Sequence, residues 1–392
     1  MSVNKFFVTV IILFSILPSF IFVSFSQPSI TVGMVVVTSS FIMLSFFLGF
    51  FVINQGCFLF ALITTIFILI HSFSEAVENP SKVAVSVVFL LIFIICANVF
   101  SNFILQNQNN IVKAIKTSVI LILFFGFLSL LFKINIFGFE NYSKSVFFFY
   151  EPSHYALVLN PILLASMSFF KEKEKILIIT FVLTLGLLIP SLILILTFLL
   201  SLVLTFKGKR LFAITTSLLF ALSLSLIWTG YDISYFLDRI SLTTDTNNLS
   251  ALVYLQGWVD AGSSLFDTNF VGLGFQNAGT NTENWINYRI YELSGKFMNR
   301  NDGSFTASKL ISEFGILGCL LVVISIFLIV NEVKKLKSDS GTHVDKIASG
   351  FIVSYVIELL FRSAGYFTIG TFFLFVGLIL VFKSDINGQN VI

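Results

Sequence analysis

The stretch KEKEKILIITFVLTLGLLIPSLILILTFLLSLVLTFKGKR, residues 171–210, holds one apolar run between two clusters of basic residues. The run covers 176–206, which is too long for one membrane helix and short for two, because one crossing needs about 20 apolar residues. Positive clusters favour the cytoplasmic side of a membrane. We therefore predict that both ends lie in the cytoplasm and that two short spans turn near Gly186 and Pro190.

The composition indicates an integral membrane protein. Of the 392 residues, 57% are hydrophobic, 11% are charged and 50 are Phe, and the mean hydropathy is +0.98. A soluble domain carries more charged residues to cover its surface. The net charge of +3 is spread thinly, so we expect no nucleic-acid partner. Cys57, Cys96 and Cys319 are far apart within apolar runs, which excludes a disulfide framework.

Apolar runs of membrane-crossing length predict an all-α protein with about twelve transmembrane helices. A second long run, 347–382, is broken at FRSAGYF (361–367) and gives two spans by the same charge argument. Together with the hairpin in 176–206, eight further runs complete the twelve: 5–25, 31–53, 56–73, 83–104, 117–132, 154–170, 211–228 and 311–331.

The basic residues orient these spans with both termini in the cytoplasm. In this topology 14 of the 23 Lys and Arg residues lie on the cytoplasmic side, four in short outer loops and five in one long outer loop. An excess of Lys and Arg in short cytoplasmic loops sets the orientation of membrane proteins.

One long segment, 229–308, faces outward between spans nine and ten. It is rich in Gly, Asn, Thr and aromatic residues and holds no apolar run of membrane length, so we expect a compact cap on the membrane surface. Residues 249–266 show helical periodicity and predict an amphipathic helix. The chain thus divides into spans one to nine (1–228), this loop, and spans ten to twelve (309–392).

Charged residues at membrane depth are costly and tend to be functional. In the predicted topology those outside the cytoplasmic clusters gather at the outer face. They are Glu151 and His154 at the start of span six, Arg239, Arg289 and Arg300 in the long loop, Asp302 and Glu313 at its end, and Glu358 and Arg362 at the end of span eleven.

Each of these residues also has an ordinary structural interpretation. Glu358 and Arg362 stand four residues apart and can pair along one helix. Asp302 suits the N-cap position of span ten. His154 fits a satisfied histidine at a helix end, and loop arginines such as Arg239 are often solvated. The sequence alone leaves these alternatives open.

Several arginines at an outer membrane face suit a lipid pyrophosphate, because the guanidinium group binds phosphate in a bidentate manner. Sugar transfer from such a lipid requires stabilisation of the departing pyrophosphate and a base near the acceptor hydroxyl. The candidates are Arg239, Arg289, Arg300 and Arg362 for the first role, and Glu151, His154 and Asp302 for the second. No nucleotide fingerprint or metal-ligand spacing occurs, so we expect no cofactor and no metal.

Three segments resemble a known family. FFYEPSHYALVLNPIL (148–163) resembles the EPSH signature of the O-antigen polymerases of Gram-negative bacteria, the Wzy proteins. The long loop followed by DGSFTASKLISEFGILGCLL (302–321) is similar to the periplasmic loop and next span of the O-antigen polymerase and ligase superfamily. LDRISLTTDTNNLSALVYLQGW (237–258) resembles the arginine and amphipathic helix of that loop.

The resemblance implies an inverting, metal-independent glycosyltransferase of the bacterial inner membrane. Such an enzyme joins undecaprenyl-pyrophosphate-linked oligosaccharide repeats at the periplasmic face, with membrane lipids around it and a chain-length regulator as partner. It also implies that loop arginines bind the pyrophosphate. This role is carried first onto Arg239 and Arg289, and second onto Arg300 and Arg362.

Two departures keep alternatives in view. O-antigen ligases carry a histidine before the span after the loop, where this chain has Asp302, and relatives often carry a second arginine where it reads NNLSALVY (247–254). A ligase is one alternative function. A lipid-linked oligosaccharide flippase is another, but a flippase would place charges along a central path and show similarity between its halves.

Overall fold

The computed structural model shows a protein built from helices. It describes residues 2–73, 79–211, 213–217, 234–243, 246–280, 284–338 and 341–389. Within these ranges no strand forms, and the β-type pairing is a single bridge between Val146 and Phe149. The predicted all-helical class is therefore confirmed.

Fifteen α-helices are defined in the described part of the chain. They are α1 (Val3–Ser24), α2 (Ile30–Phe47), α3 (Gln55–Phe73), α4 (Pro80–Gln106), α5 (Gln108–Leu131), α6 (Pro152–Ser166), α7 (Glu172–Leu188), α8 (Leu192–Thr205), α9 (Ser234–Ile240), α10 (Leu249–Asp267), α11 (Trp285–Ser294), α12 (Thr306–Lys337), α13 (His343–Ser354), α14 (Val356–Leu360) and α15 (Ile369–Gln389).

Six of these helices are long and apolar enough to cross a membrane. They are α1, α2, α3, α4, α5 and α12, as judged by length and composition among the described residues. Two shorter apolar helices, Leu192–Thr205 and Ile369–Lys383, add to them. These findings indicate a membrane-embedded helical protein. Most of the predicted ninth span, 211–228, lies outside the described residues.

Both long apolar runs are interrupted where the sequence predicts. Helix α7 ends at Leu188 and α8 begins at Leu192, with the Ser191 hydroxyl accepting a bond from the Leu194 N–H at 3.4 Å. The second run stops at Leu360 with α14 and resumes at Ile369 with α15. The hairpin arms are short, 17 and 14 residues, so each rises less than the roughly 30 Å of a bilayer core.

Helix α6 is the centre of the bundle. All of its side chains from His154 to Ser166 are buried, and it packs against α5, α8, α13 and α15. A helix that is surrounded on every side needs no polar face, which explains why its sequence has no polar stripe. The Asn160 side chain donates to the carbonyl of Ser354 at 2.7 Å and so links α6 to α13.

The long loop rests on the start of α12. Helices α10 and α11 pack together, and α10 lies along α12. The helix predicted at 249–266 is confirmed as α10. Helix α12 is kinked at Gly315, which adopts φ 56° and ψ −128°. The Phe270 carbonyl accepts the Ile316 N–H there at 2.9 Å, and a Cβ at Gly315 would collide with that carbonyl.

The basic clusters of several helices meet at one end of the bundle. Lys116 of α5 pairs with Glu174 at the start of α7 at 3.6 Å. Lys207, just after α8, donates to the carbonyl of Lys337 at the end of α12. The start of α12 lies at the other end of that helix from Lys337, and the start of α6 lies at the other end of that helix from the α7 start with Glu174. Segment 361–368 lies with these two starts, because Arg362 contacts Glu151 and Ser363 contacts Ser304.

The contact between α6 and α13 leads to a first prediction. A Cβ added at Gly350 would lie 2.4 Å from the Ala165 Cα, so Gly350→Ala forces two backbones apart and should cost about 1–3 kcal/mol. In α10, a Cβ at Gly262 meets nothing within 4 Å, and Gly262→Ala should stabilise by about 0.5–1 kcal/mol. Thermal unfolding of both variants in detergent checks this. Equal melting temperatures would contradict the packing.

Candidate active site

The EPSH segment forms the start of α6. Glu151 is the N-cap residue with extended backbone (φ −150°, ψ 158°), and Pro152 occupies the first turn. Proline suits this position because its missing N–H has no helical partner there. One turn along, His154 is buried, and its Nε2 lies 3.4 Å from Glu151 Oε1. The helix start therefore fixes the carboxylate beside the imidazole.

Arg362 reaches the same carboxylate from the other side. Its guanidinium donates to Glu151 Oε1 at 3.1 Å, and the Ser153 hydroxyl donates to that oxygen as well. Both partners of the ion pair are less than one-third exposed. Arg362 belongs to the irregular segment between α14 and α15. The ion pair therefore joins that segment to the N-cap of α6, and its two residues are 211 positions apart in the chain.

Tyr150 completes the surroundings of His154. Its hydroxyl is hydrogen-bonded to His154 Nε2, and its backbone N–H donates to the Ser19 hydroxyl of α1 at 3.3 Å. Burial, reinforced by the negative charge of Glu151, raises the pKa of the Tyr150 phenol far above its ordinary value. The phenol therefore keeps its proton and serves as a fixed partner for the imidazole.

Asp302 lies at the edge of this cluster. Its Oδ1 faces the Gly365 backbone, where an added Cβ would lie 3.6 Å away, and the Ser363 N–H donates to the Ser304 carbonyl at 3.0 Å. Asp302 interacts electrostatically with Arg362. The N-cap residue of α12 is Phe305, so Asp302 does not cap that helix. Its carboxylate is exposed and available to a ligand.

Arg239 is held near the cluster by α9. Its guanidinium stacks 3.9 Å from the centre of the Tyr235 ring and donates to the Tyr235 hydroxyl. That hydroxyl in turn donates to the Pro190 carbonyl at the turn between α7 and α8, at 2.6 Å. Arg239 also interacts electrostatically with Glu151 and Arg362. The structure thus brings a second cation to the cluster.

The other two predicted arginines lie elsewhere in the loop. Arg289 is partly exposed on α11 and binds Glu292 at 3.0 Å and Asn247 at 2.7 Å. Arg300 lies over the ring of Phe297 at 5.4 Å. Of the seven predicted residues, the structure gathers five around the start of α6: Glu151, His154, Arg239, Asp302 and Arg362.

Glu358 does not pair with Arg362, although the two stand four residues apart. The Glu358 side chain is buried, and one of its oxygens accepts bonds from the hydroxyls of Thr368 and Thr371. The interpretation of the two residues as a helical ion pair is therefore wrong. Helix α14 ends at Leu360, so Arg362 no longer lies on the same helical face and turns toward Glu151.

A cleft of about 590 Å³ opens beside Asp302. Its walls come from the start of α4 and from the loop segments 276–280 and 297–302. Its lining includes two cations, one aromatic ring, one carboxylate and five residues with amide side chains: Lys82, Arg300, Phe297, Asp302, Asn79, Gln276, Asn277, Asn299 and Asn301. Asp302 therefore belongs both to this cleft and to the cluster around Arg362.

A buried ion pair supports the floor of this region. Lys309 and Glu313, one turn apart on α12, lie 3.6 Å apart and are almost completely buried. Lys309 donates to the Asn301 carbonyl at 2.7 Å, and Glu313 accepts from the Ala278 N–H at 3.2 Å. The pair thus holds both loop walls of the cleft against α12.

Sequence reasoning missed Tyr150 and Lys309 as contributors to the site. The spacing of Lys309 and Glu313 (i, i+4) is a readable signal of a helical pair. Tyr150 likewise stands four residues before His154, across the helix start. The cleft left no such signal, because the wall at the start of α4 is far from the two loop walls in the chain, with 194 residues between Lys82 and Gln276.

Comparisons with protein-family models, with curated proteins and with solved structures find no match for this chain.

The pKa of Glu151 gives a second prediction. Burial alone would raise it, but His154, Arg362 and the Ser153 hydroxyl together lower it from 4.5 to about 2. A lowered pKa means that the stabilisation from Glu151 is present above about pH 4.5 and is lost as the pH falls toward 2. Wild type should therefore melt at a higher temperature than Glu151→Gln at pH 7. The difference between the two melting temperatures should become smaller below pH 4.5.

Glu292→Gln provides the control, because Glu292 also pairs with an arginine but on an exposed surface. Melting temperatures in detergent from pH 7 to pH 3 measure the difference between wild type and each of the two variants. A difference for Glu151→Gln that is no larger than that for Glu292→Gln at pH 7 would contradict the role given to the Glu151 carboxylate.

Proposed function

We propose that this protein is an O-antigen polymerase of the Gram-negative inner membrane. One observation carries the proposal: the EPSH residues Glu151 and His154, which resemble the polymerase signature, lie against Arg362 and close to Asp302. A cluster of cations beside a carboxylate that lines an open cleft suits sugar transfer from a lipid pyrophosphate.

The proposed membrane orientation follows from the two ends of the bundle. The end that carries Lys116, Lys207 and Lys337 lies in the cytoplasm, because basic clusters prefer that side. The opposite end, with the cluster and the long loop, then faces the periplasm. In this proposal the shorter helices α6, α7, α8, α13 and α15 and the span predicted at 211–228 complete a set of about twelve spans, and both termini are cytoplasmic.

Asp302 is the base in this mechanism. The Glu151 carboxylate accepts bonds from Arg362 and Ser153 and has a pKa of about 2, so it holds a proton too weakly to act as a base. His154 is buried and bonded to Tyr150. The Asp302 carboxylate is exposed and lines the cleft, where an acceptor hydroxyl can reach it.

Sugar transfer then proceeds in one displacement. The acceptor hydroxyl loses its proton to Asp302 while its oxygen attacks the anomeric carbon of the donor sugar. The bond from that carbon to the pyrophosphate breaks, and the pyrophosphate leaves with the electron pair. Arg362 and Arg239 stabilise the growing negative charge. Attack from the face opposite the leaving group inverts the anomeric centre, and Glu151 keeps Arg362 in position.

Deletion of the gene tests the proposed function directly. A strain without the polymerase should make lipopolysaccharide capped with a single repeat, because transfer of one repeat to the core is a separate reaction. Silver-stained gels of the lipopolysaccharide measure this. Complete loss of capped lipopolysaccharide would contradict the polymerase and would instead indicate a ligase or a flippase.

Complementation of that strain tests the role of Asp302. Asp302→Asn should lower the rate of polymerisation by about 10²–10⁴-fold, since positioned bases contribute that much. Asp267→Asn is the matched control, because Asp267 is an exposed carboxylate of α10 in the same loop. Radiolabelled repeat incorporated into polymer, normalised to protein in the membrane, gives the rate. Equal rates for the two variants would remove Asp302 from the chemistry.

A further inference from the structure

The cleft beside Asp302 has a lining whose chemistry points to a class of ligand. Five of its lining residues carry an amide, a group with both a donor and an acceptor. Two of the five are engaged within the chain: Asn277 donates to the Leu273 carbonyl, and Asn79 accepts from the Lys82 N–H. A sugar hydroxyl also donates and accepts, so amides match it. A phosphate oxygen only accepts, so it would use only the amide N–H groups, Lys82 and Arg300, while the amide oxygens would find no donor on it and the Asp302 carboxylate would repel it.

Two of these amides are free to receive a ligand. In the described structure Asn299 and Asn301 are held through their backbone carbonyls, which accept from the Asp302 N–H at 3.2 Å and from the Lys309 ammonium at 2.7 Å. No described hydrogen bond involves their side-chain amides, and both side chains line the cleft. The loop is thus fixed by its main chain while its side chains point to the open volume.

Lys82 adds a fixed donor on the opposite wall. Its ammonium donates to the Gln276 carbonyl at 3.1 Å, which uses one of its three N–H groups. Phe297 adds an apolar ring to the lining, with the Arg300 guanidinium over it at 5.4 Å. A volume of about 590 Å³ lies within the range of pockets that take a ligand of several rings.

We propose that this cleft binds the oligosaccharide of the acceptor, with Asn299, Asn301 and Lys82 bonded to its hydroxyl groups and its reacting end next to Asp302. The identity of the oligosaccharide as an acceptor rests on the proposed function. Asn299, Asn301 and Lys82 position the substrate and do not contact the bond that breaks. Asp302 and Arg362 act on the reacting atoms.

The test uses the full-length protein in lipid nanodiscs. The probe is the oligosaccharide repeat released by mild acid from the lipid-linked pool of the deletion strain. In wild type it should slow hydrogen exchange in segments 276–280 and 297–302. Asn301→Ala should weaken its binding about tenfold, the loss expected for one or two hydrogen bonds. Lys82→Gln should do the same.

Asn247→Ala is the matched control, because Asn247 is an exposed amide of the same loop that binds Arg289 away from the cleft. It should leave binding unchanged, and melting temperatures show whether each variant is folded. Unchanged affinity in folded Asn301→Ala and Lys82→Gln would overturn the proposal. Protection of these segments by inorganic pyrophosphate, with none by the oligosaccharide, would also overturn it.

The kinetics separate this proposal from the proposed function. In membranes supplied with lipid-linked repeat, Asn301→Ala should raise the half-saturating concentration about tenfold with the maximal rate unchanged, whereas Asp302→Asn lowers the maximal rate. If deletion does not give single-repeat lipopolysaccharide, the proposed polymerase function is wrong. The proposed site in the cleft is then still tested by the binding of the oligosaccharide. If polymerisation is confirmed but the cleft variants bind normally, only the cleft proposal fails.

Discussion

The ion pair between Glu151 and Arg362 is the interaction on which the rest of the site depends. It joins the N-cap of α6 to the segment between α14 and α15, with a nitrogen-to-oxygen distance of 3.1 Å and both side chains largely shielded. Removal of either partner would leave the other charge unpaired in a poorly solvated place. An unpaired charge there destabilises the fold more than the two paired charges do. The same carboxylate contacts His154, so the pair also fixes the imidazole.

The positions of these charges follow from the packing below them. Helix α6 is buried on all sides, and its last turn approaches α13 closely at Gly350. On the other side of Asp302, the buried Lys309 and Glu313 pair holds the loop walls of the cleft to α12. Asp302 lies between the two arrangements and connects the cluster with the cleft.

The sequence was informative about the helices and about where they are interrupted. Apolar runs gave the long helices, Gly186 and Pro190 gave the turn between α7 and α8, and periodicity gave α10. Partners across the fold were not readable from the sequence. The spacing of Glu358 and Arg362 suggested a pair, but the helix ends between them, and Arg362 binds Glu151 instead. The cleft was missed for the same reason, because its walls come from segments that only folding brings together.

Polymerase activity is tested most directly by reconstitution of the purified protein in liposomes together with lipid-linked repeats. The only components would be this chain, the lipids and the repeats, and the products would be resolved by length on a gel. A polymerase should give a ladder of polymers that grows with time, with release of the lipid pyrophosphate. Repeats that stay single in the presence of folded protein would contradict it.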